Sequence, residues 1–100
     1  MLGPVSSHKQ QKRIAGFIQQ GINEGAKLVC GGTAVHASLQ QGAYVAPTIF
    51  SNVSNDMTIA REEIFGPVLC IMPYQSLNQA ISIANDTPYG LSSGVYAKDA

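Results

Sequence analysis

Residues 60–68 read Ala60-Arg61-Glu62-Glu63-Ile64-Phe65-Gly66-Pro67-Val68, and the rest of the chain is organised around this stretch. Gly66 permits unusual backbone angles and Pro67 fixes the next φ, so the pair would hold Glu63 and Phe65 in a set direction. A carboxylate offers two acceptor oxygens to a ribose diol, and an aromatic ring offers a flat face to a planar ligand. The stretch is therefore a candidate ligand site. The alternative is a solvated acidic helix end followed by a core phenylalanine.

A helix is predicted upstream over residues 9–24, because Ser7 and Gln10 have the spacing of a capping box. Its buried stripe consists of the apolar residues at helical spacing, Ile14, Phe17, Ile18 and Ile22. Gly25 can adopt the left-handed conformation that ends a helix. Residues 27–30 are then a short apolar run that predicts a strand.

The middle of the chain is less regular. Residues 33–43 are small and polar and predict a surface loop. Residues 44–50 predict a strand that bends at Pro47, and the proline favours an edge strand or an irregular piece. Residues 57–63 predict one short helical turn that leads into the candidate site.

Beyond the candidate site, residues 68–72 form a continuous apolar run, which is typical of a strand covered on both faces. Ser76 and Gln79 repeat the capping-box spacing and predict a second helix that ends at Asn85. Its inward residues would be Leu77, Ala80, Ile81 and Ala84. Residues 91–96 predict a last strand. This order of helices and strands indicates an α/β fold with a mostly parallel sheet flanked by helices.

The composition restricts the functional class. Only 12% of the 100 residues are charged, against about 25% in an average soluble domain, which indicates that a partner or further chain covers part of the surface. The net charge is zero, so neither nucleic acid nor an anionic membrane is a predicted partner. The sequence has no apolar run of about 18 residues, the length expected of a membrane-spanning helix.

The cysteines and histidines show no catalytic or metal-binding pattern. Cys30 and Cys70 have no paired spacing and are interpreted as reduced, buried residues of a cytoplasmic protein. His8 and His36 are interpreted as solvated, and no metal site is predicted. The basic residues of the first helix, Lys9, Lys12 and Arg13, are interpreted as a solvated face.

Several stretches, in order, resemble the aldehyde dehydrogenase superfamily. Residues 62–68 resemble its Glu-x-Phe-Gly-Pro signature. The other matching stretches are Gly3-Pro4-Val5, residues 24–32, Pro47-Thr48-Ile49-Phe50, residues 57–63 and residues 84–91. The resemblance covers essentially the whole chain and implies that residues 1–100 are part of that family's catalytic domain.

The resemblance also implies two cofactor-binding residues. In that family the second glutamate of the signature hydrogen-bonds the nicotinamide ribose hydroxyls, which corresponds to Glu63. The phenylalanine two residues later packs beside the nicotinamide, which corresponds to Phe65. The implied cofactor is NAD or NADP, whereas Glu62 is interpreted as a surface or structural acid.

No catalytic residue is predicted in this chain. The family's nucleophilic cysteine lies in a Gly-Gln-x-Cys type motif and its general base in a Glu-Leu-Gly-Gly type motif, and neither motif occurs here. By the same resemblance, the Rossmann-type coenzyme domain and the C-terminal segment are expected to lie outside these residues. The prediction is a fragment of an enzyme that oxidises an aldehyde to a carboxylic acid with NAD(P)+. Alone, it is expected to be inactive and to hold no cofactor.

A second hypothesis comes from a different functional class. The low content of charged residues also favours a stand-alone association module. Such a module would form a homodimer or higher oligomer, or would bind a full-length dehydrogenase.

Overall fold

The computed structural model describes residues 2–99. Its elements, in chain order, are α1 (His8–Asn23), β1 (Lys27–Cys30), a 3-10 turn (Ala37–Leu39), β2 (Thr48–Ser51), α2 (Thr58–Arg61), β3 (Val68–Cys70) and α3 (Leu77–Asn85). The three strands form one sheet in the order β1-β2-β3. The α/β class is therefore confirmed.

The sheet is mixed, with one parallel and one antiparallel pairing, so the expectation of a mostly parallel sheet needs correction. β2 pairs with β3 in parallel and with β1 in antiparallel orientation. Parallel neighbours need a crossover of about a dozen residues or more, and the connection from β2 to β3 contains α2. The connection from β1 to β2 contains only a 3-10 turn, and it brings β2 back antiparallel to β1. Residues 44–47 form no strand and β2 begins at Thr48 in the centre of the sheet. Of the two predicted alternatives at Pro47, the irregular piece is therefore confirmed and the edge strand is wrong.

The first helix forms where it is predicted. The Ser7 hydroxyl accepts a hydrogen bond from the Gln10 backbone N–H at 3.0 Å, and Gly25 has a φ of +98° just beyond the helix end. Ile14 and Ile18 are fully buried, whereas Ile22 is 39% exposed because the helix turns that position away from the core. The core consists of Ile14, Ile18, Ala26, Phe50, Val53, Ile59 and Ile64.

One face of the sheet packs on this core and the other does not. Thr48 and Phe50 of β2 are buried, but Leu69 of β3 is 56% exposed. The prediction that residues 68–72 form a strand covered on both faces is therefore wrong for residues 2–99. The apolar run reflects two apolar faces, of which α1 and α2 cover one.

The last third of the chain is the most open. α3 begins after its predicted cap, where the Ser76 hydroxyl accepts from the Gln79 backbone N–H at 3.2 Å. None of its residues is buried, however, so the predicted inward stripe is wrong, and Leu77 is 71% exposed. Residues 91–96 form no strand, because no described strand lies beside them to complete a ladder.

Two contacts tie the end of α3 to the rest of the molecule. Arg61 donates to the Asp86 carboxylate at 2.9 Å and to the Asp86 backbone carbonyl at 2.8 Å. Asn55 donates to the same carboxylate at 2.7 Å. Over residues 2–99, no helix has the length and apolar character needed to cross a membrane.

Candidate functional site

The candidate site lies on the loop between α2 and β3, residues 62–67, which we call the signature loop. Its side chains alternate between the two sides of the backbone. Ile64 is buried in the core, whereas Glu63 and Phe65 on either side of it are exposed. The two side chains that the sequence predicts as ligand contacts are thus both accessible in residues 2–99.

Polar side chains of α1 hold the backbone of the signature loop. The guanidinium of Arg13 donates from Nη2 to the Glu63 carbonyl at 2.7 Å and from Nη1 to the Ile64 carbonyl at 2.6 Å. The Nε2 of Gln10 donates to the Phe65 carbonyl at 3.2 Å. Residues 10 and 13 lie on the same face of a helix, so both side chains reach the same stretch of backbone.

The carbonyls of Gly66 and Pro67 are bonded to β3 and β2. The Gly66 carbonyl accepts from the Val68 N–H at 2.8 Å, and the Pro67 carbonyl accepts from the Thr48 N–H at 2.9 Å. Each of the five consecutive carbonyls from residue 63 to residue 67 thus accepts a hydrogen bond. The loop is irregular, but these five carbonyls are hydrogen-bonded as they would be in a helix or a strand.

The unusual backbone angle in this loop belongs to Phe65 and not to Gly66, which corrects the reason given for the glycine. Phe65 has a φ of +60°, in the left-handed region that costs a non-glycine residue about 1 kcal/mol or more. Gly66 is required for space instead. A Cβ at this position would lie 2.6 Å from the Cδ1 of the fully buried Ile14.

The two outward side chains have the chemistry expected of ligand contacts. Within residues 2–99 the Glu63 carboxylate makes no ion pair, so both of its oxygens can accept from a diol. The Phe65 ring is 75% exposed, so it does not belong to the core that residues 2–99 form. Residues of this kind fit the ribose and the planar ring of a nicotinamide nucleotide.

Sequence reasoning missed the contribution of α1. Arg13 is exposed, as predicted for a solvated basic face, but it also binds two carbonyls, and its guanidinium carbon lies 4.8 Å from the centroid of the Phe17 ring. The sequence places Gln10 in a capping box, yet its side chain donates to the Phe65 carbonyl. Their separation of three residues was visible in the sequence, but these contacts span more than 50 residues and leave no local signal.

The other titratable candidates lie away from the signature loop. Cys30 is exposed, which corrects the prediction of a buried residue, because β1 has no covering layer on that side. Cys70 is half-buried; burial raises the pKa of its thiol, and its Sγ donates to the Ile59 carbonyl at 3.6 Å. His8 and His36 are exposed and contact Gln11 and Ser38, respectively.

The described part of the chain, residues 2–99, contains no group of three or more His, Cys, Asp or Glu residues arranged to hold a metal ion.

Comparison with known proteins assigns the family. The sequence model of the aldehyde dehydrogenase family matches residues 1–100. The chain is 55% identical over 94 residues to the 3-succinoylsemialdehyde-pyridine dehydrogenase of a Pseudomonas species, covering 94% of this chain and 20% of that protein. It thus spans about a fifth of the length of such a relative.

Solved structures of the family superimpose closely on the chain. A Mycobacterium tuberculosis aldehyde dehydrogenase complexed with NAD+ has a TM-score of 0.85 and 52% identity, with 90% of this chain and 18% of that one covered. The NAD+ complex of a Bacillus cereus aldehyde dehydrogenase has a TM-score of 0.89 and 43% identity, with 98% and 19% covered. The chain belongs to the aldehyde dehydrogenase family.

Proposed function

We propose that the signature loop forms one wall of the coenzyme site of an NAD(P)-dependent aldehyde dehydrogenase. In this proposal Glu63 accepts hydrogen bonds from the nicotinamide ribose hydroxyls, and Phe65 packs beside the nicotinamide ring. The main support is that five consecutive bonded carbonyls hold a loop whose Glu63 and Phe65 side chains are both exposed. The relatives crystallised with NAD+ make this coenzyme class the natural candidate.

The overall reaction would be the oxidation of an aldehyde, with water, to a carboxylic acid, for which the coenzyme would supply the hydride acceptor. The residues of this chain would bind and orient the coenzyme and would not act on the aldehyde. Residues 1–100 would form part of the catalytic domain. The nucleophilic cysteine and the general base would come from other parts of the enzyme, since this sequence contains neither the Gly-Gln-x-Cys nor the Glu-Leu-Gly-Gly type motif.

The function of the signature loop is best tested in a chimera. We would replace the matching fifth of the Bacillus cereus dehydrogenase with this chain, which covers 19% of that protein. Glu63→Gln should raise the KM for NAD+ about tenfold, because hydrogen bonds to a charged acceptor contribute roughly 1.5–3 kcal/mol. The neighbouring exposed variant Glu62→Gln is the matched control. Equal KM values for the two variants would contradict the proposal.

The isolated chain should not oxidise aldehydes. A reactive thiol needs an electropositive or base-assisted setting, and neither cysteine has one in the structure. The isolated chain should also hold no NAD+, because two contacts can hardly offset the roughly 4 kcal/mol or more of freedom lost on association. Calorimetric titration at submillimolar NAD+ should give no heat of binding. Turnover that disappears in Cys30→Ser would overturn this expectation.

Self-association is a second candidate function, and a specific observation favours it. The outer face of the sheet exposes Leu69 and Ile71, and α3 exposes Leu77 and Ile81. Apolar surface of this kind marks interaction sites, and the edge strand β3 has a free side. A homodimer or a complex with a full-length dehydrogenase would cover it. Light scattering coupled to size-exclusion chromatography should detect a dimer, and a clean monomer at high concentration would contradict this function.

A cytoplasmic location fits both candidate functions, and the two free cysteines are consistent with a reducing compartment.

A further inference from the structure

We infer that Arg13 is a positioning residue for the coenzyme contacts of the signature loop. It would act through the backbone and not by touching the coenzyme. This inference rests on the proposed function of Glu63 and Phe65. It adds a residue on α1, 50 positions away from Glu63 along the chain, whose exchange should change coenzyme affinity.

The contact is specific to the shape of a guanidinium group. Two different nitrogens of Arg13 bind two adjacent carbonyls, at 2.6 Å and 2.7 Å. A planar guanidinium presents its donors in a fixed fork, so it can fix the orientation of both peptide groups at once. The Phe17 ring lies against the guanidinium at 4.8 Å, which restricts its rotation.

These two peptide groups determine the position from which the Glu63 side chain starts. The carbonyls of residues 63 and 64 belong to the peptide planes on either side of Ile64, whose side chain is anchored in the core. With these two planes and the Ile64 side chain fixed, little backbone rotation remains at residue 64. The Cα of Glu63, which belongs to the first of these planes, is thereby held in place relative to α1.

Arg13 also helps to maintain the left-handed backbone of Phe65. Such a conformation persists only when the surroundings over-determine it. Arg13 binds the Ile64 carbonyl and Gln10 binds the Phe65 carbonyl, so the peptide groups before and after Phe65, whose φ is +60°, are both held. Without Arg13, the segment before Phe65 can relax toward an extended conformation and swing the ring away.

The first test uses the chain itself. In Arg13→Met, which keeps a long apolar side chain but has no donor, amide order parameters of residues 63–65 should fall while those of Phe50 stay unchanged. Lys12→Met is the matched control, because Lys12 is the adjacent charge on α1 and makes no bond to the loop. Unchanged order parameters in Arg13→Met would overturn the inference.

The second test separates positioning from general stability and uses the Bacillus cereus chimera. Arg13→Met should raise the KM for NAD+ about tenfold with kcat within about twofold, since small displacements of binding groups can cost up to about 10²-fold. Arg13→Lys should recover part of the loss, because an ammonium can bind one carbonyl but not both. Two results would overturn the inference. One is an equal loss of folded protein in Arg13→Met, Arg13→Lys and the control Lys12→Met, and the other is an equal KM for Arg13→Met and Lys12→Met.

The Glu63→Gln chimera distinguishes this inference from the proposed function. If Glu63→Gln raises the KM and Arg13→Met does not, the site is correct and the positioning role is wrong. If Glu63→Gln has no effect, the proposed function fails, and the order-parameter measurement on Arg13→Met still decides whether Arg13 orders the loop.

Discussion

The carboxylate of Glu24, just beyond the end of α1, caps the start of α2 through Thr58. One oxygen accepts from the Thr58 backbone N–H and the other from the Thr58 hydroxyl, both at 2.8 Å. The residue before α2 is Met57, which has no side-chain acceptor of its own. A residue 34 positions upstream therefore supplies the cap that the local sequence lacks.

This relationship predicts that Glu24→Ala will destabilise the chain by about 1 kcal/mol, the usual cost of losing an N-cap. The free N–H groups of α2 would then depend on water alone. Urea unfolding followed by circular dichroism measures the change, with the exposed Glu62→Ala as control. If both variants unfold at the same urea concentration, the cap contributes no stability.

Gly66→Ala should be destabilising for a reason of packing. The added methyl would meet the side chain of the fully buried Ile14 at 2.6 Å, and overpacking of a core costs roughly 1–3 kcal/mol. Gly16→Ala on α1 is the control, because its Cβ meets nothing within 4 Å and a helical alanine should stabilise by about 1 kcal/mol. Thermal unfolding should shift in opposite directions for the two variants, and shifts of the same sign would contradict this account.

The two thiols should differ in reactivity. Cys30 is exposed, whereas burial raises the pKa of the Cys70 thiol above its ordinary value of 9.0 and leaves less thiolate. At pH 8, a chromogenic disulfide reagent should label one thiol rapidly and the second slowly. The fast phase should disappear in Cys30→Ser and remain in Cys70→Ser. Loss of the fast phase in Cys70→Ser instead would reverse the assignment.

Asp56 gives the stability of the chain a component that depends on pH. The pKa of Asp56 lies below its ordinary value of 3.8. The larger cause is a hydrogen bond from the Ser54 hydroxyl to the Asp56 carboxylate, and the smaller is a hydrogen bond from the backbone N–H of Asp56. Because the folded pKa is the lower one, the contribution is complete above the unfolded pKa and is lost as the pH falls through the folded value. An NMR titration should show a higher Asp56 pKa in Ser54→Ala, and an unchanged pKa would contradict the proposed cause.

Local signals in the sequence were sufficient for most of the elements. Capping residues and apolar periodicity located α1 and α3 to within one residue at their starts and ends. The failures arise where an element depends on a neighbour. Residues 91–96 have the composition of a strand, but a strand forms only when another strand bonds to it. The exposed Leu77 of α3 likewise has a suitable pattern and no covering surface within residues 2–99.

The position of the candidate site could be predicted from the sequence, but the contacts that hold its backbone could not. The residue types of Glu63 and Phe65 indicated a ligand contact, and the structure exposes both side chains. Their proposed contacts with a coenzyme remain predictions. Arg13 could not be identified in advance, because its partners are backbone carbonyls, which are present at every position and leave no trace in the residue types.

The left-handed backbone of Phe65 separates two kinds of constraint on the signature loop. The shape of the loop depends on Gln10, Arg13 and Gly66, whereas the Phe65 ring projects outward with little packing of its own. An evolving lineage could therefore exchange the aromatic side chain for another and alter what the surface recognises while the scaffold stays intact. Glycine at residue 65 would even relieve the backbone. Variation at this position is expected to follow ligand preference, and variation at the three supporting positions is expected to be limited by folding.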